Sequence, residues 1–295
     1  MAQYIHFIPE NIAPKGTRRI GIYDANGNRV GQIPLGPLTP PKATRKLYSF
    51  GVLSDVHIGD STATSDFTAA LKYLSKETDF ICISGDLIHS SNSQTSEYKA
   101  LVDTHATVPV YACTGNHDGA YVTNVETAVE NYTGHPLYYS ITHGDDVFVF
   151  VGCKSDTAGS LFTSAELTWL ANTLEANKDK RVFLFEHVRP DDGCGNALVI
   201  YTYDIWGGAE QTTFENLLRA YPNIVFFHGH SHLKFDLQQY SDIANIDRNF
   251  GCWSVHVPSI TVPRGPLSAV DPTRVNLYAE SEGYVVDVYE DGIHL

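Results

Sequence analysis

The chain has 295 residues, 43% of them apolar, and carries 34 acidic against 20 basic side chains for a formal net charge of −14. That length is enough to bury a full core as one large domain with a small appendage, and the acidic balance, with no Lys/Arg run, disfavours long nucleic acid as a partner. No stretch reaches the ~20 apolar residues of a membrane span, the first residues lack a secretory leader pattern, and the five cysteines show no Cys-x-x-Cys spacing, so a reducing, cytoplasmic setting without a disulfide framework or a membrane partner is expected.

In chain order, Ile20 to Tyr23 and Arg29 to Ile33 flank Asn26-Gly27 and predict two strands around a tight turn. Pro34, Pro37, Pro40 and Pro41 then remove backbone donors and predict an extended spacer. Residues 1–45 are therefore expected to form a small β appendage with a Pro-rich linker, and residues 46–295 the main domain.

From Lys46 onward strand-like and helix-like segments alternate. Leu47 to Leu53 predicts a strand, Ser65 opens a helix carrying Phe67, Ala70, Leu71 and Leu74, and Phe80 to Ser84 predicts the next strand. Glu97 to His105 predicts a helix and Pro109 to Thr114 a strand. Tyr138 to Thr142 and Val147 to Gly152 predict a hairpin around the polar turn at 143–146. Thr163-Ser164-Ala165-Glu166 is a capping box ahead of Leu167, Leu170 and Leu174. Arg181 to Phe185 predicts a strand, Glu210 to Tyr221 a helix, Ile224 to Phe227 a strand, and Tyr284 to Tyr289 an antiparallel strand closing a sheet.

Five polar clusters interrupt this pattern at the ends of apolar runs: Asp55-Val56-His57, Gly85-Asp86, Gly115-Asn116-His117-Asp118, His187 and Gly229-His230-Ser231-His232. Their donors, Asp55, His57, Asp86, Asn116, His187, His230 and His232, are oxygens and imidazoles with no thiolate, a mixture suited to manganese, iron, zinc or nickel. Asp55, Asp86 and Asn116 are separated by the length of one β-α-β unit, and such sheets gather ligands at the carboxyl ends of their strands. Residues two apart just past a strand, such as Asp55 with His57 or His230 with His232, point the same way. Asp86, on the central strand of the series, is the natural carboxylate to bridge two cations, which in such sites lie about 3.5–4 Å apart. A lone Asp-x-His or a single loop histidine is more often a turn or a solvated side chain, and His6, His89, His105, His135, His143 and His294 are read that way. His228 and His256 are placed behind the ligands or in the core.

This ordered set resembles the calcineurin-like metallophosphoesterase family over roughly residues 47–290. The resemblance implies a four-layer α/β/β/α sandwich of two facing mixed sheets. It implies one ion held by Asp55, His57, Asp86 and His232, and a second held by Asp86, Asn116, His187 and His230. It further implies hydrolysis of a phosphate ester by a hydroxide bridging the two ions, with His117 as general acid and Asp118 orienting its imidazole. The substrate expected is a small phosphomonoester or phosphodiester such as a nucleotide or cyclic nucleotide. A nuclease or protein phosphatase using the same centre, and a non-catalytic binding or structural role, are the alternatives. After His187 the chain departs from the His-Pro pattern common in the family: Arg189 either holds an acidic group or caps its own loop, and Arg189, Tyr201 and Tyr203 are the candidate substrate contacts.

Overall fold

A computed structural model describes residues 45–157, 160–190, 194, 208–235, 245–266, 274–276 and 280–295, together with the strands at 4–5, 19–23 and 29–34. In chain order the elements are β1 (Tyr4–Ile5), β2 (Arg19–Tyr23), β3 (Arg29–Pro34), β4 (Lys46–Leu53), α1 (Ala63–Glu77), β5 (Phe80–Ser84), α2 (Gln94–His105), β6 (Val110–Cys113), α3 (Asn116–Tyr121) and α4 (Val125–Thr133). There follow β7 (Tyr138–His143), β8 (Asp146–Val151), α5 (Ser164–Ala176), β9 (Val182–Phe185), α6 (Gly208–Ala220), β10 (Ile224–His228), β11 (Ile246–Asp247), β12 (Trp253–His256), β13 (Arg264–Pro266), β14 (Arg274–Asn276), β15 (Tyr284–Tyr289) and β16 (Gly292–His294). Contacts divide the chain into two units, Met1–Ser49 with Val286–Leu295, and Phe50–Val285.

In the first unit β2 and β3 pair antiparallel, as the Asn-Gly turn predicts, with a register shift at Ile22/Tyr23. β15 and β16 form a second antiparallel pair, and β1 lies parallel to β16. Lys46 Nζ lies 2.7 Å from Asp287 Oδ1, and Ser49 Oγ donates to the same oxygen at 2.8 Å.

The second unit carries the core. β4, β5 and β6 are parallel, in the register Phe50 to Phe80 and Cys82 to Tyr111. The other sheet runs β11-β12-β10-β9-β8-β7, with β12, β10, β9 and β8 parallel and the two edge strands antiparallel. Every residue of β8, β9 and β10 is buried, and all but Asp146 and His228 at the strand ends are apolar, the pattern of strands covered on both faces.

Between the sheets lies an aromatic layer. Phe50 meets Phe148 at 5.1 Å and Phe183 at 5.0 Å between ring centroids, and Phe185 stacks on Phe150 at 4.8 Å and on Phe227 at 5.2 Å. Such pairs are worth roughly 0.5–1.5 kcal/mol each beyond the area they bury, and they hold the two sets of strand ends in register. Outside one sheet α1, α2 and α4 pack through Phe67, Leu71, Tyr98, Val129 and Tyr132. Outside the other α5 and α6 pack through Leu170, Leu174, Phe214 and Leu218. The architecture is the four-layer α/β/β/α sandwich with two mixed sheets.

Local sequence explains most boundaries. Thr163 Oγ1 accepts from the Glu166 N–H at 3.0 Å and Glu166 Oε2 accepts from the Thr163 N–H at 3.3 Å, the reciprocal capping box that starts α5. α1 begins two residues before Ser65, because Ser65 Oγ donates to the Thr62 carbonyl at 2.7 Å within the first turn rather than capping it. α2 begins at Gln94, three residues ahead of the expected Glu97. α3 and α4 are additions to the expected set. All five cysteines are free and buried, and among the described residues no helix is long and apolar enough to cross a membrane.

Candidate metal centre

The five polar loops meet where the parallel strands of the two sheets end. Backbone bonds stitch them together: the Asp55 N–H donates to the Gly85 carbonyl at 3.1 Å, the His57 N–H to the Asp86 carbonyl at 2.9 Å, and the Gly229 N–H to the His187 carbonyl at 2.9 Å. The His230 N–H donates across the site to Asp55 Oδ2 at 3.1 Å, and Ser54 Oγ donates to the same oxygen at 2.7 Å.

The backbone at this junction is strained. Among the described residues, six non-glycine positions have a left-handed φ, and five of them are expected ligands: Asp55 (53°), His57 (49°), Asp86 (50°), His230 (70°) and His232 (60°). Each costs on the order of 1–3 kcal/mol, and such strain collects where surroundings hold a side chain in one functional direction. The motif glycines provide clearance. A Cβ on Gly115 would stand 2.2 Å from Asp86 Oδ1 and 2.4 Å from the Asp86 nitrogen, and Gly85, itself at φ 79°, faces His187 Cβ at 2.6 Å in the same sense.

The side chains form two clusters that share Asp86. Asp55, His57, Asp86 and His232 make one, and Asp86, His187 and His230 the other. His57 Nε2 lies 3.0 Å from His232 Nε2 and 3.5 Å from Asp86 Oδ2, His232 Nε2 lies 2.9 Å from Asp55 Oδ1, and His187 Nε2 lies 3.1 Å from Asp86 Oδ2. The outward ring nitrogens are engaged with carbonyls: His187 Nδ1–H donates to Ser84 at 2.6 Å and His232 Nδ1–H to Val262 at 3.0 Å. These bonds fix the tautomer and turn each Nε2 lone pair inward. Imidazole nitrogens and carboxylate oxygens at such distances need a proton or a metal cation between them. Asn116 completes the fit, because its Oδ1 is buried with no hydrogen-bond partner among the described residues. A neutral carbonyl oxygen left bare in this way is what a metal site requires and an ordinary core avoids.

Electrostatics separates the histidines. Burial pushes His57 down to about 4 and His230 down to about 3, and burial also lowers His232, with the Arg264 charge adding to the effect. These three imidazoles are neutral at pH 7, the form that binds metal. Burial would likewise lower His187, but the Asp86 and Asp55 carboxylates override it and push it up to about 10. The metal-free site therefore holds a proton on His187 through neutral pH, and a cation must displace it. Ion uptake at pH 8 is expected to release at least one proton, and affinity to rise with pH up to about 10. Calorimetric titration with Zn²⁺ in buffers of differing ionisation enthalpy checks this, and a proton count of zero at pH 8 would contradict it.

His117 lies outside the two clusters that share Asp86. Its side chain is 29% exposed, its Nε2 is 3.9 Å from Asp86 Oδ2, and its ring lies 4.6 Å from that of His57 at 83°. Its Nδ1–H donates to the His89 carbonyl, and its backbone N–H donates to Asp86 Oδ1 at 2.9 Å.

Two sequence expectations change here, those for Asp118 and His89. Asp118 does not reach the His117 ring: its Oδ2 accepts from the Gly115 N–H at 2.9 Å and the Leu87 N–H at 3.0 Å, tying the start of α3 to the Asp86 loop. Burial, reinforced by Asp86, pushes this carboxyl up to about 7. His89, read from sequence as solvated, lies with its Nδ1 3.5 Å from His57 Nδ1, in a cluster with His57 and His117. Its place three residues after Asp86 was the available signal. Arg189 is buried at 7% exposure and donates to the Pro190 carbonyl at 3.2 Å, so it caps its own loop from inside. Tyr201 and Tyr203 fall outside the described residues. His228 and His256 are buried, bonded to Ser254 Oγ (3.2 Å) and the Leu233 carbonyl (2.9 Å), and belong to neither of the clusters that share Asp86.

Two facing mixed sheets delivering an Asp/His cluster from their strand ends define the class. The family model for the calcineurin-like phosphoesterases matches residues 48–250, and the chain belongs to that family. It is a hydrolase of phosphate ester bonds. A Fibrobacter succinogenes protein named "probable cyclic nucleotide phosphodiesterase" is 26% identical over 204 residues, covering 66% of this chain and 77% of that protein. Among solved structures, a dimetal phosphatase from Danio rerio aligns with a TM-score of 0.59 at 14% identity, covering 83% of this chain and 94% of that one. GAP50, the anchor in the inner membrane complex of Plasmodium, aligns with a TM-score of 0.56 at 12% identity, covering 84% and 83%.

Proposed function

We propose that the chain hydrolyses a small phosphodiester or phosphomonoester at a two-ion centre. Asp55, His57, Asp86 and His232 would hold one ion, and Asp86, Asn116, His187 and His230 the other. The observation that carries this reading is the pair of ligand clusters sharing the Asp86 carboxylate. When bound, two divalent cations supply Lewis acidity to the phosphoryl oxygens and lower the pKa of a coordinated water. The nitrogen and oxygen donors suit manganese, iron, zinc or nickel, with availability deciding among them as much as affinity.

The chain's own residues do the rest. Asp86 Oδ1, by accepting the His117 N–H, holds the imidazole-bearing backbone beside the centre. The His89 carbonyl fixes His117 with its proton on Nδ1 in the resting tautomer. Protonation of Nε2 then makes an imidazolium that hands a proton to the departing oxygen as the phosphorus–oxygen bond breaks. Its partial exposure gives it access both to solvent protons and to the substrate. A cyclic or linear nucleotide is the substrate class favoured, supported by the name of the Fibrobacter relative and by a net charge of −14 that offers no field for a polyanion.

Assays with p-nitrophenyl phosphate, bis(p-nitrophenyl) phosphate and a 3′,5′-cyclic nucleotide in added Mn²⁺ test the reading. Turnover that chelation abolishes and Mn²⁺ restores is the expected result. Ions bound with no turnover of any of the three would sink it.

A further inference from the structure

Gln94 begins α2 and belongs to none of the five polar clusters. Its Oε1 nevertheless accepts from three successive backbone N–H groups, those of His89 (3.1 Å), Ser90 (2.9 Å) and Ser91 (3.0 Å). Three donors on one atom identify that atom as the amide oxygen. The amide nitrogen lies over Gly59, where a Cβ would fall 1.8 Å away; glycine at this position, two residues beyond His57 and with φ at 107°, leaves the space Gln94 occupies. The clamped loop is also sewn to the first ligand loop, with the Ile58 N–H donating to the Leu87 carbonyl at 3.1 Å and the His89 N–H to the Ile58 carbonyl at 3.0 Å. The same loop presents the His89 carbonyl that accepts from His117 Nδ1–H.

We propose that Gln94 is a positioning residue for His117. By accepting the Ser90 N–H, flanked by those of His89 and Ser91, it sets the peptide that joins His89 to Ser90, and so the direction of the His89 carbonyl. That carbonyl fixes which nitrogen of His117 carries the resting proton and where Nε2 points. Gln94 Oε1 bonds backbone N–H groups rather than any expected ligand side chain, and the residue acts through one backbone carbonyl. Without the clamp the His89 peptide turns away, His117 samples other rotamers and tautomers, and proton delivery to the leaving oxygen becomes the slow step. The inference rests on the assignment of His117 as general acid.

The test compares Gln94→Ala, Gln94→Glu and His117→Ala in the metal-loaded, full-length enzyme. Two phosphodiesters are used, one with a p-nitrophenolate leaving group that departs unprotonated and one with an alkoxide that needs the proton. For Gln94→Ala, turnover of the alkyl ester is expected to fall by about tenfold or more while the p-nitrophenyl ester changes by less than about threefold. Metal content should be unchanged, and ¹⁵N NMR of the zinc-loaded protein should show loss of the single Nδ1–H tautomer of His117. Gln94→Glu, which keeps the acceptor oxygen, should restore both the alkyl-ester rate and the tautomer.

Equal loss on the two esters, no loss on either, or an unaltered His117 tautomer in Gln94→Ala would overturn the proposal while His117→Ala still discriminates between the esters. If His117→Ala itself fails to discriminate, the acid assignment is wrong and the role of Gln94 falls with it.

Discussion

Replacing Asp86 by Ala is expected to give a folded protein that holds neither ion and has lost activity by about 10³-fold or more. Asp86 is the one residue common to both ligand clusters. Its Oδ2 lies 3.1 Å from His187 Nε2 and 3.5 Å from His57 Nε2, and its Oδ1 holds the His117 N–H. Removing it takes away the charge that would neutralise two dications and leaves imidazoles facing imidazoles. A Lewis-acid contribution of several kcal/mol disappears with the ions, and each 1.36 kcal/mol is a factor of ten in rate. The fold should survive, because the aromatic layer between the sheets and the two helical layers do not depend on this carboxylate. Metal analysis and circular dichroism of the variant check both halves. Retention of two ions with normal activity would remove Asp86 from its assigned place.

His117→Ala is expected to behave differently. Both ions stay bound, while turnover of esters with poor leaving groups falls by about 10²–10⁴-fold, the usual contribution of a positioned acid. His117 lies outside the two clusters that share Asp86, and its Nδ1 is directed to the His89 carbonyl rather than to another ligand. The variant loses one hydrogen bond at a partly exposed side chain, about 1 kcal/mol of stability. Esters of p-nitrophenol should lose far less, since that leaving group departs without a proton. Loss of an ion in His117→Ala would mean that the residue is a ligand, a role its membership of the His57, His89 and His117 cluster makes worth measuring.

The contrast between these two residues was open to sequence reasoning because each polar cluster interrupts an apolar run at a strand end. Asp86, Asn116 and His187 announce themselves as polar side chains where the hydrophobic pattern stops, and the parallel strands carry them to one place. The capping box at Thr163 to Glu166 was legible for a similar reason, being wholly local. What escaped depends on tertiary contact or on competition among local signals. The left-handed backbone at Asp55, His57, Asp86, His230 and His232 is only weakly signalled by residue type: aspartate and histidine are enriched in that region, but neighbouring loops bond these residues there. Asp118 sits beside His117 in sequence, yet its carboxylate turns to the Gly115 and Leu87 amides, a choice set by the preceding strand's loop. Helix starts slipped where several hydroxyl residues compete: Ser91 and Ser93 both precede Gln94, and neither side chain caps α2. α4 carried its spacing openly in Val125, Val129 and Tyr132, but nine residues between polar segments made a weak pattern.

As proposed above, two divalent ions held across Asp86 would make this chain a phosphoesterase. Metal content by plasma mass spectrometry, followed alongside turnover of a phosphodiester as ions are restored to chelated protein, tests it most directly. Activity should appear only as the bound metal approaches two ions per chain. Full turnover at one ion per chain, or at none, would contradict it.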